Sequence, residues 1–147
     1  MVERERRLKI RGDELYFTAY PEETGGAYLL MELRVAPGGG PPTHLHRDDS
    51  ESFVVLEGQF RIRQGDTIRD VGPGAFVFGA PGVPHGFTNI GEGVGRLMVI
   101  DVPARIEPYF RALAAHCGAD TLTFEAQQEL YRQYNMEWVG PNIAAWA

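Results

Sequence analysis

Gly38-Gly39-Gly40-Pro41-Pro42-Thr43-His44-Leu45-His46-Arg47-Asp48-Asp49-Ser50-Glu51-Ser52-Phe53-Val54-Val55-Leu56-Glu57-Gly58 is the stretch whose reading decides the fold. His44 and His46 stand two residues apart, a spacing that on an extended strand turns both imidazoles to one face. Four residues separate His46 from Glu51, room for a short loop before a new extended run, so a carboxylate can return to the same place. A second stretch completes the group. In Gly82-Val83-Pro84-His85-Gly86-Phe87-Thr88-Asn89 a turn leads into a strand start and presents a third imidazole, His85. Three nitrogens and one oxygen form a ligand set suited to one divalent transition metal per chain, with iron, manganese or nickel leading and zinc or copper also compatible.

Working outward, the glycines and prolines before His44 cannot continue a regular ladder, because glycine is too loose and proline lacks a donor. They bend the chain and permit close backbone approach beside the site. Upstream, Leu29, Met31, Leu33 and Val35 alternate with Leu30, Glu32 and Arg34 as a half-buried strand, and Leu8 to Tyr20 reads as an N-terminal hairpin turning at Gly12-Asp13. Downstream, parity puts Phe53 and Val55 on the face of Glu51, so Phe53 is expected to line a cavity. Short strands continue through Phe60–Arg63 and Thr67–Val71. Ala75–Phe78 is apolar on both sides and reads as a strand buried between two sheets, and Gly95–Asp101 closes the series. Phe76, Phe78 and Phe87 read first as core; Phe87, which alone shares the parity of His85, joins Phe53 as a candidate for the substrate pocket.

Eight or nine short strands with turn signals every several residues describe an antiparallel sandwich or small barrel. At the quoted residues the sequence resembles the cupin superfamily. Gly38, His44, His46, Glu51 and Gly58 fit its first motif, a Gly, five residues, His-x-His, three or four residues, Glu, six residues and Gly. Gly74, Gly82, His85 and Asn89 follow its second motif, with Ala80 where a proline is usual. A looser resemblance to small bacterial cupins related to quercetin dioxygenases runs on through Ile106–Arg111 and Glu129–Tyr134. The resemblance implies an all-β fold, an antiparallel jelly-roll barrel of two sheets with short C-terminal helices, and His44, His46, Glu51 and His85 as metal ligands. It also implies a proton-accepting role for Glu51 if its carboxylate swings off the ion.

Beyond Pro103 the period changes to that of helices. Ile106, Tyr109, Phe110, Leu113 and Ala114 form one stripe with Gly118 as the natural C-cap, and Thr123 caps a second helix whose stripe is Leu130, Tyr131 and Tyr134. Asn135 and Gly140-Pro141 are expected to end that helix. Both stripes must cover something apolar, either the outside of the barrel or another subunit. The 147 residues therefore read as one domain: a barrel over about 14–102, a strand arm over 1–13 and a helical segment over 103–147.

A net charge of −6 argues against non-specific binding to nucleic acid or an anionic membrane and favours small-molecule partners. The charged N-terminus leads to no apolar core segment, no apolar run approaches membrane-spanning length, and the single Cys117 makes no internal disulfide, so a cytoplasmic location is expected. Sheets with apolar edges need covering, which leads us to expect a homodimer. Asp48 and Asp49 read as an exposed acidic turn, Arg61 and Arg63 as solvated, and His116 and Cys117 as ordinary helix residues. Three functions fit. An oxygenase of dioxygenase type would act on a small apolar chelating substrate. An isomerase or epimerase of a sugar or keto acid would want an inward cation, and parity places none. A non-catalytic binding or sensing domain would need no turnover at all.

Overall fold

The structure, a computed structural model, describes residues 4–143; the ends of the expected arm and helical segment, 1–3 and 144–147, lie outside the described residues. Eleven strands and two helices follow in order: β1 (Arg7–Ile10), β2 (Asp13–Ala19), β3 (Leu29–Val35), β4 (Thr43–His46), β5 (Ser50–Glu57), β6 (Phe60–Gln64), β7 (Thr67–Val71), β8 (Phe76–Gly79), β9 (His85–Asn89), β10 (Gly95–Val102), α1 (Glu107–Ala119), α2 (Phe124–Gln133) and β11 (Met136–Gly140). One sheet has the order β1-β2-β3-β10-β5-β8 and the other β11-β4-β9-β6-β7, with antiparallel pairing throughout. This is the jelly-roll architecture, mostly β with two short C-terminal helices. No helix among the described residues is long and apolar enough to cross a membrane.

Alternation builds the core. In β10, Gly95, Leu97, Val99 and Asp101 are buried while the residues between them are half-buried or exposed, and β5 turns Glu51, Phe53 and Val55 inward. Together with Phe17, Met31, Phe60 and Ile62 they fill the space between the sheets. Each of the apolar side chains among them contributes about 1.5–3 kcal/mol through burial.

Two residues, one between motif positions and one within the second motif, act on the backbone. A Cβ at Gly40, whose φ is 147°, would lie 2.0 Å from the Phe87 carbonyl oxygen, so only glycine lets the loop before β4 approach β9 this closely. Asn89 clamps the other end of β9: its Nδ2 donates to the carbonyls of Val35 (2.9 Å) and Gly93 (2.8 Å), and its Oδ1 accepts from Gly91 N (2.8 Å).

Several expectations are corrected. β8 is not buried between sheets. It is the edge strand of the first sheet, so only Val77 and Gly79 face the core, while Phe76 and Phe78 are 56% and 47% exposed. The helical segment is not wholly helical, since β11 pairs with β4, Trp138 opposite His44 and Met136 opposite His46, and supplies hydrogen bonds to what would otherwise be a bare edge. Gly118 does not cap α1. The helix runs one residue further and Asp120 takes the left-handed conformation (φ 55°) that Asp tolerates at a helix end. Thr123 does cap α2, its Oγ1 accepting from Ala126 N at 3.1 Å. The helices cover the barrel itself, α1 packing against β1 and α2 against β11, and Tyr109, Leu113 and Gln127 line the cavity over the site.

Candidate metal centre

His44 ends up beside His85 because β4 and β9 pair with those two residues directly opposite. Glu51 arrives from the other sheet, at the start of β5, paired with Asp101 of β10 and Gly79 of β8. Gly79 is needed there: a Cβ would lie 2.2 Å from the Glu51 carbonyl oxygen and 3.1 Å from His85 Nδ1. His44, His46, Glu51 and His85 are all buried, and one ligand atom from each lies within 4.8 Å of every other. Metal–ligand bonds of roughly 2.0–2.2 Å place donors at most about 4.4 Å apart, so only small side-chain shifts separate this group from coordination spacing.

Hydrogen bonding decides which atoms face one another. His44 Nδ1 lies 2.7 Å from the Pro42 carbonyl oxygen, which can only accept, so Nδ1 carries the proton and Nε2 keeps its lone pair for the cluster. Glu51 Oε1 lies between two imidazoles, 3.2 Å from His85 Nε2 and 3.5 Å from His46 Nε2. His46 Nε2, Glu51 Oε2 and His85 Nδ1 are buried with no hydrogen-bond partner. Each such atom costs about 1–3 kcal/mol in an apolar interior unless something takes its lone pair, and a cation does so for an imidazole or a carboxylate. The donor set therefore fits a divalent ion, and the group could hold one.

Protonation states agree with that use. Burial, with the neighbouring His85 and His46, pushes the His44 pKa down to about 3, so its ring is neutral at physiological pH. Burial pushes Glu51 up, but the charge of His46 and hydrogen bonds involving His46, His85 and Asp101 outweigh it and hold the carboxyl well below its ordinary range. Asp101 moves the other way. Burial and the adjacent Glu51 charge raise it well above the usual carboxylate range, and its Oδ2 is buried without a partner. Two carboxyls side by side in a dry site cannot both ionise cheaply, so one gives its charge to the histidines and the other keeps its proton.

Three of the four ligands, His44, His46 and Glu51, open on a cavity of about 80 Å3. Phe53 packs edge-on against His85 (5.5 Å between ring centroids) and against Phe87 (5.6 Å), and both phenylalanines stand on the cavity wall. Tyr131 of α2 covers the other side of His44 at 5.6 Å. The remaining sequence candidates lie elsewhere. Asp49 pairs with Arg105 and Asp48 accepts from Asn135, so the acidic turn is held rather than free. Arg61 binds Asp70 on the exposed side, and His116 Nδ1 meets Thr121 Oγ1 at 2.8 Å.

Sequence reading missed Asp101, Arg11 and Gln127. Asp101 was detectable, because it shares the inward parity of Leu97 and Val99 on β10. Arg11, in the turn between β1 and β2, and Gln127, on α2, carried no such signal, yet both line the cavity.

Residues 31–101 match the sequence model of the cupin domain family. That stretch is a cupin domain. The chain is 25% identical over 105 residues to the quercetin 2,3-dioxygenase of Bacillus subtilis (strain 168), a match that spans 71% of this chain but only 31% of that enzyme. Among solved structures it resembles the polyketide cyclase RemF from Streptomyces resistomycificus (26% identity, TM-score 0.57, 71% of this chain and 81% of that one). It also resembles KdgF from Halomonas sp. (16% identity, TM-score 0.62, 69% and 88%), a likeness of fold.

Proposed function

We propose that this cupin is a metal-dependent enzyme of the oxygenase type, acting on a small substrate that chelates the ion through an enol or hydroxy-ketone. The observation that carries the reading is the buried, mutually close set His44, His46, Glu51 and His85, the first three of which open on a cavity whose apolar wall includes Phe53 and Phe87. The match to a quercetin 2,3-dioxygenase supports it. When bound, a divalent iron, manganese or nickel ion would polarise the chelating oxygens and leave coordination positions open for chemistry.

The chain's own groups do the rest. His44 is held by Pro42 in the tautomer that ligates. Glu51 is the proton acceptor: its Oε2, unpartnered, takes the proton of a substrate hydroxyl while Oε1 faces the imidazoles. Phe53 and Phe87 exclude water from the reacting atoms. Drug-sized ligands occupy sites of roughly 300–1,000 Å3, so a cavity of about 80 Å3 favours a substrate well below flavonol size.

One observation favours a second reading, a metal-dependent isomerase of a keto acid. That chemistry calls for an inward cation, and Arg11 lines the cavity. Metal analysis of protein purified without added metal, followed by oxygen-electrode assays with short 1,3-diketones and flavonols, tests the first reading. Conversion without oxygen uptake would replace it with the second, and a metal-free, inert protein would end both.

We also propose a homodimer built on the outer face of the first sheet. Register aligns Phe78, Ser52, Ile100 and Leu30 in one row and Phe76, Val54 and Met98 in the next, an apolar surface whose two phenylalanines are largely exposed. A double substitution Phe76→Ser, Phe78→Ser is expected to halve the mass seen by light scattering; a monomeric wild type would refute the dimer.

A further inference from the structure

The closure over the cavity is richer in hydrogen-bond donors than an apolar lid requires. Arg11 Nη2 donates to Gln127 Oε1 at 3.1 Å, and Gln127 Nε2 donates to the Tyr109 hydroxyl at 3.4 Å. Tyr131 lies behind them, tilted against Tyr109 with ring centroids 6.0 Å apart, and its buried hydroxyl is turned to Tyr109 and Gln127. Arg11 and Gln127 line the same cavity as His44, His46 and Glu51, and Tyr131 leans on His44, so this group sits within a ring or two of the metal position.

Charge is unbalanced at this point. Among the described residues Arg11 forms no ion pair, although Asp13 and Glu14 line the same cavity and the Arg11 charge is felt at Asp13. Asp13, two positions on, uses its Oδ1 to accept from Ala36 N at 2.9 Å instead. Arg11 also holds φ 58°, a left-handed backbone that favours glycine or asparagine, so a long cationic side chain stands where the turn prefers a small residue. A divalent ion with Glu51 ionised would leave the floor one positive charge in excess, and an anionic ligand would meet donors at both ends.

We propose that Arg11, Gln127 and Tyr109 form a carboxylate subsite, and that the substrate is a short acid whose other end carries the chelating oxygens. This rests on the cavity being the substrate site. Arg11 supplies the charge and Gln127, already hydrogen-bonded to it, orients the guanidinium. The Tyr109 hydroxyl, which lines the cavity and accepts from Gln127, has its own proton to donate to the second carboxylate oxygen. An arginine and a hydroxyl together match the two oxygens of one carboxylate. The size of the cavity excludes a long chain between the two ends.

The test is calorimetric binding of 4,6-dioxoheptanoate, a 1,3-diketone with a terminal carboxylate, and of its uncharged counterpart heptane-2,4-dione to the metal-loaded protein, comparing wild type with Arg11→Met and Tyr109→Phe. Affinity for 4,6-dioxoheptanoate is expected to fall roughly ten- to hundred-fold in Arg11→Met and several-fold in Tyr109→Phe, with heptane-2,4-dione binding, metal content and Tm unchanged. A merely structural role would lower Tm and weaken both ligands alike, and that pattern, or equal affinity of all three proteins for 4,6-dioxoheptanoate, overturns the proposal. Displacement of 4,6-dioxoheptanoate by inorganic phosphate at equal concentration would overturn the carboxylate assignment. Because the readout is binding, a failure of oxygen uptake leaves this result standing, and a loss of the subsite leaves oxygenase chemistry open.

Discussion

The floor and the roof of the cavity are built by different rules. The floor, His44, His46, Glu51 and His85, stands on three strands whose register fixes each side chain: His44 opposite His85, and Glu51 opposite Asp101. Its elements are tied by backbone ladders, so moving one ligand means moving a strand. The roof, Arg11, Tyr109, Gln127 and Tyr131, comes from a hairpin turn and two helices joined by side-chain contacts, one of them between residues 116 positions apart. Ladders give precision to the reacting centre, while a looser, side-chain-built cover can select what enters without disturbing it.

The largest expected effect strikes the floor alone. His85→Ala removes one of four candidate ligands while the barrel core of Phe17, Met31, Phe60 and Leu97 remains, so the protein should fold and purify with close to no bound metal. Stoichiometric metal in a folded variant would remove the site assignment and with it the contrast with the roof.

Glu51→Gln comes next, because it keeps shape and removes charge. The amide oxygen can still ligate weakly but cannot accept a proton at neutral pH. If Glu51 is the base, the rate per bound metal ion should fall roughly a hundred- to ten-thousand-fold. A ratio within a few-fold of one would leave Glu51 a ligand only.

Acidity tests how tightly the floor is packed without metal. His44 titrates near 3 in the folded chain and near its ordinary value, about 6.5, in the unfolded one. Between those limits the unfolded chain binds a proton that the folded chain refuses, so stability is lost as pH falls. The slope approaches about 1.4 kcal/mol per unit well below 6.5. Asp101, raised, acts in the opposite sense, since the folded chain protonates it first as pH falls. Comparing urea unfolding of metal-free wild type with His44→Asn cancels that opposing contribution. The difference should shift by about 1–2 kcal/mol from pH 7 to 5. A difference independent of pH would mean that the ring is solvated.

The same contrast explains what was legible beforehand. Strand period and two glycine-framed motifs expose the floor, since its ligands lie within 42 positions and each has a parity that either faces the core or does not. Parity even contained Asp101. It failed at Phe76 and Phe78, because a run apolar on both sides looks the same in a central strand and in an edge strand whose outer face is apolar for another reason. The roof was illegible because Arg11 and Gln127 each have an ordinary local reading, a turn residue and a polar helix position. Only the docking of α2 against the first hairpin brings them together. β11 escaped for a similar reason: five residues after a helix become a strand because β4 has a bare edge to offer.

The smallest effect should fall on the roof and spare the floor. Thr123 Oγ1 satisfies Ala126 N at the start of α2, an element of 10 residues that would be marginal alone and depends on its cap and on the burial of Gln127, Leu130 and Tyr131. Thr123→Ala should cost about 1 kcal/mol, which for a chain of this length lowers Tm by about 3–4 °C. Amide exchange should rise across α2 and not across β4, β5 or β9, because those strands are held by ladders that the cap does not touch. Metal content should stay at the wild-type level. If metal were lost together with α2 protection, the Tyr131–His44 contact would be carrying the ligand's position, and floor and roof would be one cooperative unit rather than two.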